Sequence, residues 1–486
     1  MEYPRPNWTA SVASNIDISG APSLAVGPGD EVYFAVAATG TFGTLAATST
    51  YDIVVGCFGG DGTLQWLFRD PSLVSGSNDS QPQLVLGLSG EAYLAFVTTG
   101  AIPGRSNGAD VPSLCGNCGA TAGRQDVVLA RLNSVVGATN ASLPTVAWRV
   151  QDAYLNSCNN ETALRLHFDS IGNQLFAVYQ TSGSTLCNVA IGTPNVVVVA
   201  FAPAGYLTWS YQDALMNSTG SNTAPAIATD GIGGVYLAYA HTAAVSGGGA
   251  MQGSQDVEVI RLHIEGAPVR VVRDWILSAI VTINSTGVNG DPALVCDTTR
   301  NVVFLAFTAT AAVPGGQKTA TGSDIVFASI KADGTLLWLL QQPEYNEVTY
   351  RYASIDHPQL SLDQYGNVFM AAHALNESTG HDQIVMIKIN PGTQVGWYFR
   401  IDIANVYRSY IPAADFVTPF QAVLGTSAYS VPSVTIYAGQ LYVGFVRYAT
   451  ATLYIVGLAQ PLNYLEYDAQ EYMRSFTGIC SSVRSV

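Results

Sequence analysis

A tryptophan recurs about every sixty residues along this chain. Trp8, Trp66, Trp148, Trp209, Trp275, Trp338 and Trp397 are separated by 58, 82, 61, 66, 63 and 59 residues. A chain of 486 residues would ordinarily divide into two or three domains. A period of this length points instead to radial repetition, in which each unit adds a blade to one ring.

The phrases between tryptophans recur in a constant order. A strand opened by proline comes first, at Pro22, Pro82, Pro225, Pro292, Pro358 and Pro432, while the third unit reads Ala163-Leu164-Arg165 without one. Proline is tolerated at the first residue of a strand, where its missing N–H matters least. Turns such as Asp169…Gly172-Asn173 and Asp363…Gly366-Asn367 follow, with residues that supply positive φ. Next come seven apolar aromatic strands, from Val32-Tyr33-Phe34-Ala35 to Leu441-Tyr442-Val443-Gly444. The third strand usually begins at Asp or Asn (Asp52, Asp126, Asn195, Asp256, Asp324, Asp382), and the fourth carries the tryptophan. Strands this apolar are covered on both faces, as they are when blades pack on one another.

The expected fold is therefore all-β: a single seven-bladed β-propeller of four-stranded antiparallel blades over 1–467, its ring closed by the chain termini. Trp8 lies on a fourth-type strand that precedes the first complete triplet, so the N-terminal strand is expected to complete blade seven and remove the open edge. Leu462-Asn463-Tyr464-Leu465-Glu466-Tyr467 competes for that place. Residues 468–486 are expected to form a tail that docks on a neighbouring subunit.

The stretch from Asp324 to Trp338, with Asp333-Gly334 before its tryptophan and Gly366-Asn367-Val368-Phe369 further on, resembles the seven-bladed β-propeller repeat family abbreviated SBBP. The resemblance runs over nearly the whole chain and implies a propeller. It implies no particular activity, because fold does not carry function. Repeats of this family occur in exported bacterial proteins and in proteins of large DNA viruses.

Composition narrows the partners. The formal net charge of −15 opposes a general phosphate footprint, so no nucleic-acid partner is expected. Only three lysines occur, Lys318, Lys331 and Lys388, and 11% of residues are charged, which fits a surface covered by partners or sugars. No stretch reaches the roughly 20 apolar residues of a membrane span. The opening residues lack the layout of a secretory signal.

The long loops at 98–124, 152–162, 181–194, 241–254, 309–322, 374–381 and 403–431 all map to one rim, where binding is expected. Cys115, Cys118, Cys158 and Cys187 lie on neighbouring loops of that rim, as two disulfides, as free thiols or as a four-thiolate zinc site. Cys480, in the tail, is a candidate for pairing with another chain. Cys57 and Cys296 fall within apolar strands and read as inert. Candidate glycosylation sequons stand at Asn78, Asn160, Asn217, Asn284 and Asn376, with others at Asn7 and Asn140; chance accounts for as many matches.

No nucleophile elbow, His-x-x-x-His pair or phosphate loop is present, and no catalytic residue, metal or cofactor is expected. The six histidines are scattered, and Asp169, Asp230 and Asp363 read as turn-formers. The leading expectation is thus a non-enzymatic structural or interaction protein of a virion or of an extracellular or cell-surface assembly, with protein partners and self-assembly; the absent signal leaves the cytoplasm as the alternative. A carbohydrate- or peptide-binding receptor or adhesin is the alternative function, with Tyr154, Tyr345, Tyr350, Tyr352, Tyr407 and Tyr410 as candidate contacts. A hydrolase or lyase would instead need acids converging at the mouth of the central channel.

Overall fold

A computed structural model describes residues 5–102, 124–133, 135–140, 142–152, 155–157, 159–185, 192–265, 270–318, 322–341, 352–376, 382–389, 395–402, 430–437, 440–448 and 451–459. They form seven sheets of four antiparallel strands. Blades one to six cover 17–68, 79–150, 161–211, 222–276, 289–340 and 352–402. In each, sequence order equals spatial order from the inner strand to the outer.

Blade seven is assembled from both ends of the chain. Ser433–Tyr437, Gln440–Arg447 and Thr452–Ala459 supply three strands, and Arg5–Ala13 supplies the fourth. Trp8 pairs with Gly457 and Ala13 with Thr452. The N-terminal strand therefore takes the outer place. The competing segment 462–467 and the tail 468–486 lie outside the described residues. Among the described residues no helix is long and apolar enough to cross a membrane.

The core is divided among the blade interfaces, with seven apolar clusters that each draw on two adjacent blades. Second and third strands are therefore buried on both faces, as Ala92–Thr98, Asn195–Phe201 and Gly234–His241 are throughout. At about 25 cal/mol per Å² of apolar surface, this two-sided burial is the main force closing the ring. The third strands begin at Asp126, Asn195, Asp256, Asp324 and Asp382. Blade one differs: its third strand starts earlier, at Leu45, because the hairpin extends to a Phe42–Leu45 pair turned by Gly43 at φ 55°.

All seven tryptophans occupy one register. Each fourth strand is bulged next to its tryptophan, whose backbone pairs with Gly457, Cys57, Arg131, Ala200, Arg261, Ser329 or Lys388 on the third strand. In blades one to five the indole packs on an aromatic ring of the second strand. The pairs are Tyr33–Trp66, Tyr93–Trp148, Phe176–Trp209, Tyr236–Trp275 and Phe304–Trp338, with centroids 5.8 to 6.2 Å apart. Trp148 and Trp275 also reach the next blade, each donating its indole N–H over 2.9 Å to the carbonyl of Pro203 or Ala332. These five indoles are thus held by aromatic packing inside their own blades.

The prolines are not where the strand pattern puts them. Pro82, Pro225, Pro292 and Pro358 do not open their strands, which begin at Asp79, Asn222, Asn289 and Tyr352. Each follows a residue of positive φ at a bulge in the inner strand: Gln81, Ala224, Asp291 or His357. A bulge leaves a residue outside the hydrogen-bond ladder, so a proline there forfeits no rung. Blade three bulges at Ala163 and has Leu164 instead of proline, and the extra N–H is satisfied by Gln81 Oε1 of blade two at 3.3 Å.

Candidate functional site

The seven inner strands touch one another in succession and close on themselves, so they line the axis. Their bulges lie toward the rim of the long loops. Side chains there lean from blade to blade: Ser23 Oγ accepts the Leu84 N–H at 2.9 Å, and Gln81 reaches Leu164. The backbone bulge is common to six blades, but the residues it displays differ.

On one side of the axis that display is charged. Asp291, at φ 48° in blade five, and His357, at φ 52° in blade six, meet with Oδ2 and Nδ1 3.3 Å apart. A non-glycine residue in this region costs on the order of 1 kcal/mol or more, offset by the surrounding sheet. The bond to Asp291 raises the His357 pKa, with the charges of Asp291 and Asp356 in support and burial and Arg165 in opposition. His357 is half-exposed, and its Nε2 makes no hydrogen bond among the described residues. Asp356 accepts from Ser323 Oγ at 2.5 Å.

Arg165 lies on the inner strand of blade three. Its guanidinium donates to the Leu164 carbonyl at 3.1 Å and has no other hydrogen bond among the described residues. Burial lowers its pKa and the Asp291 charge opposes that shift, so the two interact across the intervening blade four. Two residues on, His167 is pushed down to about 4 by burial and bonds Thr229 of blade four at 3.0 Å. The inner strands thus carry a carboxylate–imidazole pair on which the charge of Arg165 also acts. At the opposite end of the channel Leu88, Ile171, Ile232 and Tyr365 are exposed at the tips of the short turns.

The other candidates are placed as follows. Cys115, Cys118, Cys158, Cys187 and Cys480 lie outside the described residues. Cys57 is buried and Cys296 half-buried, both as free thiols raised to about 12 by burial. Asn78 and Asn160 are exposed, each accepting a backbone N–H, from Tyr51 and Gln125. Asn217 and Asn284 are buried, and each side chain grips one residue of the previous blade's third strand through both its N–H and its carbonyl, at 2.6 to 2.9 Å. Asn156 does the same to Val127. A glycan on Nδ2 of Asn217 or Asn284 would require this grip to be broken. Asn376 ends a strand, its side chain outside the described residues. Of the tyrosine candidates only the backbone of Tyr352 is described. Asp169, Asp230 and Asp363 accept backbone N–H groups of their own turns. Among the described residues no three His, Cys, Asp or Glu side chains gather as metal ligands would.

The class this geometry defines is the seven-bladed β-propeller with a polar channel mouth. No family model and no curated protein matches the chain, so membership of the SBBP family remains a resemblance. Solved structures match it in fold. The polysaccharide lyase Uly1 is similar at a TM-score of 0.44 and 12% identity, over 90% of each chain. A protein of unknown function from Dyadobacter fermentans gives 0.43 and 11%, over 95% of this chain and 100% of that one. An α-L-arabinanase from Penicillium chrysogenum gives 0.40 and 10%, over 84% and 100%. Likeness at this level shows the fold alone.

It corrects one expectation nonetheless. The chain was expected not to be an enzyme, on its closed scaffold, few charges and lack of a sequence motif. Solved chains matched by this one include ones named as an arabinanase and a lyase, and a fold does not by itself exclude catalysis. The physical reason is that a propeller assembles its polar groups from different blades, and no local motif records them.

Proposed function

We propose that this propeller binds carbohydrate at the channel mouth on its long-loop rim. The observation that carries the reading is the half-exposed Asp291–His357 pair, set on adjacent inner strands, with the Arg165 charge acting on both. A sugar presents many hydroxyls in fixed directions. A carboxylate and an imidazole under the charge of a guanidinium suit such a ligand, since charged groups give the stronger hydrogen bonds. Display on a cell surface or particle belongs to the same reading and is supported by the near absence of lysine.

A second reading, cleavage of the bound glycan, is favoured by the Asp291–His357 pair. An imidazole oriented by a carboxylate, with its second nitrogen open, is the arrangement that takes or returns a proton. Glycan-array binding by the full chain, followed by calorimetry with Arg165→Gln and by assays for released reducing ends and for unsaturated sugar products, tests both. Binding that Arg165→Gln weakens tenfold or more is expected. An array without hits would defeat the binding reading, and bound glycans that stay intact would defeat cleavage.

A further inference from the structure

Four blade junctions repeat one polar turn. A serine four residues ahead bonds the side chain that opens the next inner strand: Ser75 to Asp79 at 2.9 Å, Ser157 to Glu161 at 2.5 Å, and Ser218 and Ser285 to Asn222 and Asn289 at 2.8 Å. All four acceptor residues are 0% exposed. The backbone repeats as well. The N–H groups of Glu161, Asn222 and Asn289 donate over 2.8 to 2.9 Å to Gln125, Pro194 and Gln255, each the residue before a third strand of the previous blade.

Only the second side-chain atom changes chemistry. In Asn222 it is Nδ2, which donates to the carbonyls of Pro194, Ser218 and Gly220, each at 3.2 Å. In Asn289 it donates to Gln255 O, Ser285 O and Asp256 Oδ1 at 3.0 to 3.2 Å. The position is ringed by acceptors. Glu161 Oε2 and Asp79 Oδ2 are buried oxygens with no hydrogen-bond partner among the described residues. Where the amides donate, an ionised carboxylate oxygen can only accept, whereas a protonated one donates as the amide does; the other oxygen of Glu161 accepts from the Ser157 N–H and the Ser157 and Thr181 hydroxyls. The facing charges point the same way. Asp52, with Arg69 3.9 Å from it, stands opposite Asp79, and Asp126 stands opposite Glu161, with Tyr179 also near.

We propose that Asp79 and Glu161 are proton-binding sites, neutral acids that clamp blade two between blades one and three and that loosen as the pH rises. The two junctions flank blade two, so the packing of that blade on its neighbours is tied to proton occupancy. Burial, aided by Asp52 and Asp126, pushes both acids up to about 7, from 3.8 and 4.5. Between those limits the folded chain holds protons that the unfolded chain has released, so stability is greatest at the acid end and falls as the pH rises toward 7 and above. Across that window the folding equilibrium changes by roughly a thousandfold for Asp79 and by several hundredfold for Glu161.

The test is the melting temperature of the full chain between about pH 5 and pH 8.5, for the natural sequence, Asp79→Asn, Glu161→Gln, their combination and Asn289→Asp. The natural chain is expected to melt lower as the pH rises, each single amide to remove part of that slope, and the double variant most of it. Asn289→Asp, which converts an amide junction into an acid pair with Asp256, is expected to gain a new slope. Glu258 is also raised to about 7 by burial, but it is bonded by Ser278 and Val259 and is common to every variant, so it cancels in the differences. Parallel melting curves for the natural chain and the amide variants, or a pH-independent penalty in Asn289→Asp, would overturn the proposal. Should the double variant not fold, the single variants and Asn289→Asp decide it.

Discussion

The indole N–H of Trp148, in the outer strand of blade two, donates to the carbonyl of Pro203 in blade three at 2.9 Å. Within its own blade the same indole packs on the ring of Tyr93. Trp209 occupies the same register one blade on, yet its buried Nε1 has no partner among the described residues. Trp148→Phe should therefore cost about 1 kcal/mol more than Trp209→Phe, since only the first breaks a hydrogen bond. Trp148→Ala should cost about 3–5 kcal/mol through the cavity it leaves. Denaturant melts of the three variants measure both differences, and equal costs for the two phenylalanine variants would contradict the first.

Gly205 sits under the same indole. Its φ is 93°, and a Cβ there would lie 2.7 Å from the Trp148 ring. Gly205→Ala combines a strained backbone with a clash, so a loss of more than about 1 kcal/mol is expected by thermal melting. A neutral result would mean that the turn of blade three is free to move off the indole.

Asn284 is expected to carry structure and no sugar. Removing its side chain in Asn284→Ala leaves the N–H and carbonyl of Val257 without their bonds, a loss of about 2 kcal/mol. Mass spectrometry of chain made in a glycosylating host should find Asn217 and Asn284 bare. Occupied sites on folded protein would disprove the burial argument.

His167 should stay neutral through physiological pH. Burial holds its pKa at about 4 in the folded chain against 6.5 for a free imidazole. Between those values the unfolded chain binds the proton and the folded chain does not, so this residue's contribution is full above about 6.5 and is lost as the pH falls toward 4. That is the opposite sign to Asp79 and Glu161. The ring signals of His167 in an NMR titration should not move above pH 5.

His357 should respond to its partner. Asp291→Asn removes the charge and weakens the bond that raise the His357 pKa, so its titration should shift to lower pH, with the chain remaining folded. An unchanged titration would show that the two side chains do not meet in solution.

The propeller was legible in the residues because its cause is local and repeated. Each blade needs two apolar strands, a turn with Gly or Asn, and an indole at one register, and each need writes a short phrase that recurs seven times. Counting those phrases left two candidates for the outer strand of blade seven, and strand pairing gives the place to Arg5–Ala13. The polar turn was also written down, as Asn-Ser-Thr-Gly-x-Asn at 217–222 and again at 284–289, but a sequon reading hid it, because burial is not visible in three residues. The prolines misled for a related reason. A bulge depends on how two strands are paired, and the strand pattern alone places proline at a beginning.

The residues by themselves determined the number of blades, the strand order within them and the place of each indole, since these rest on contacts within one repeat. The tertiary structure alone decided that Asp291 and His357 meet under the charge of Arg165 and that two acids and two asparagines share one turn. Those relationships join residues from different repeats, and only closing the ring brings them within reach.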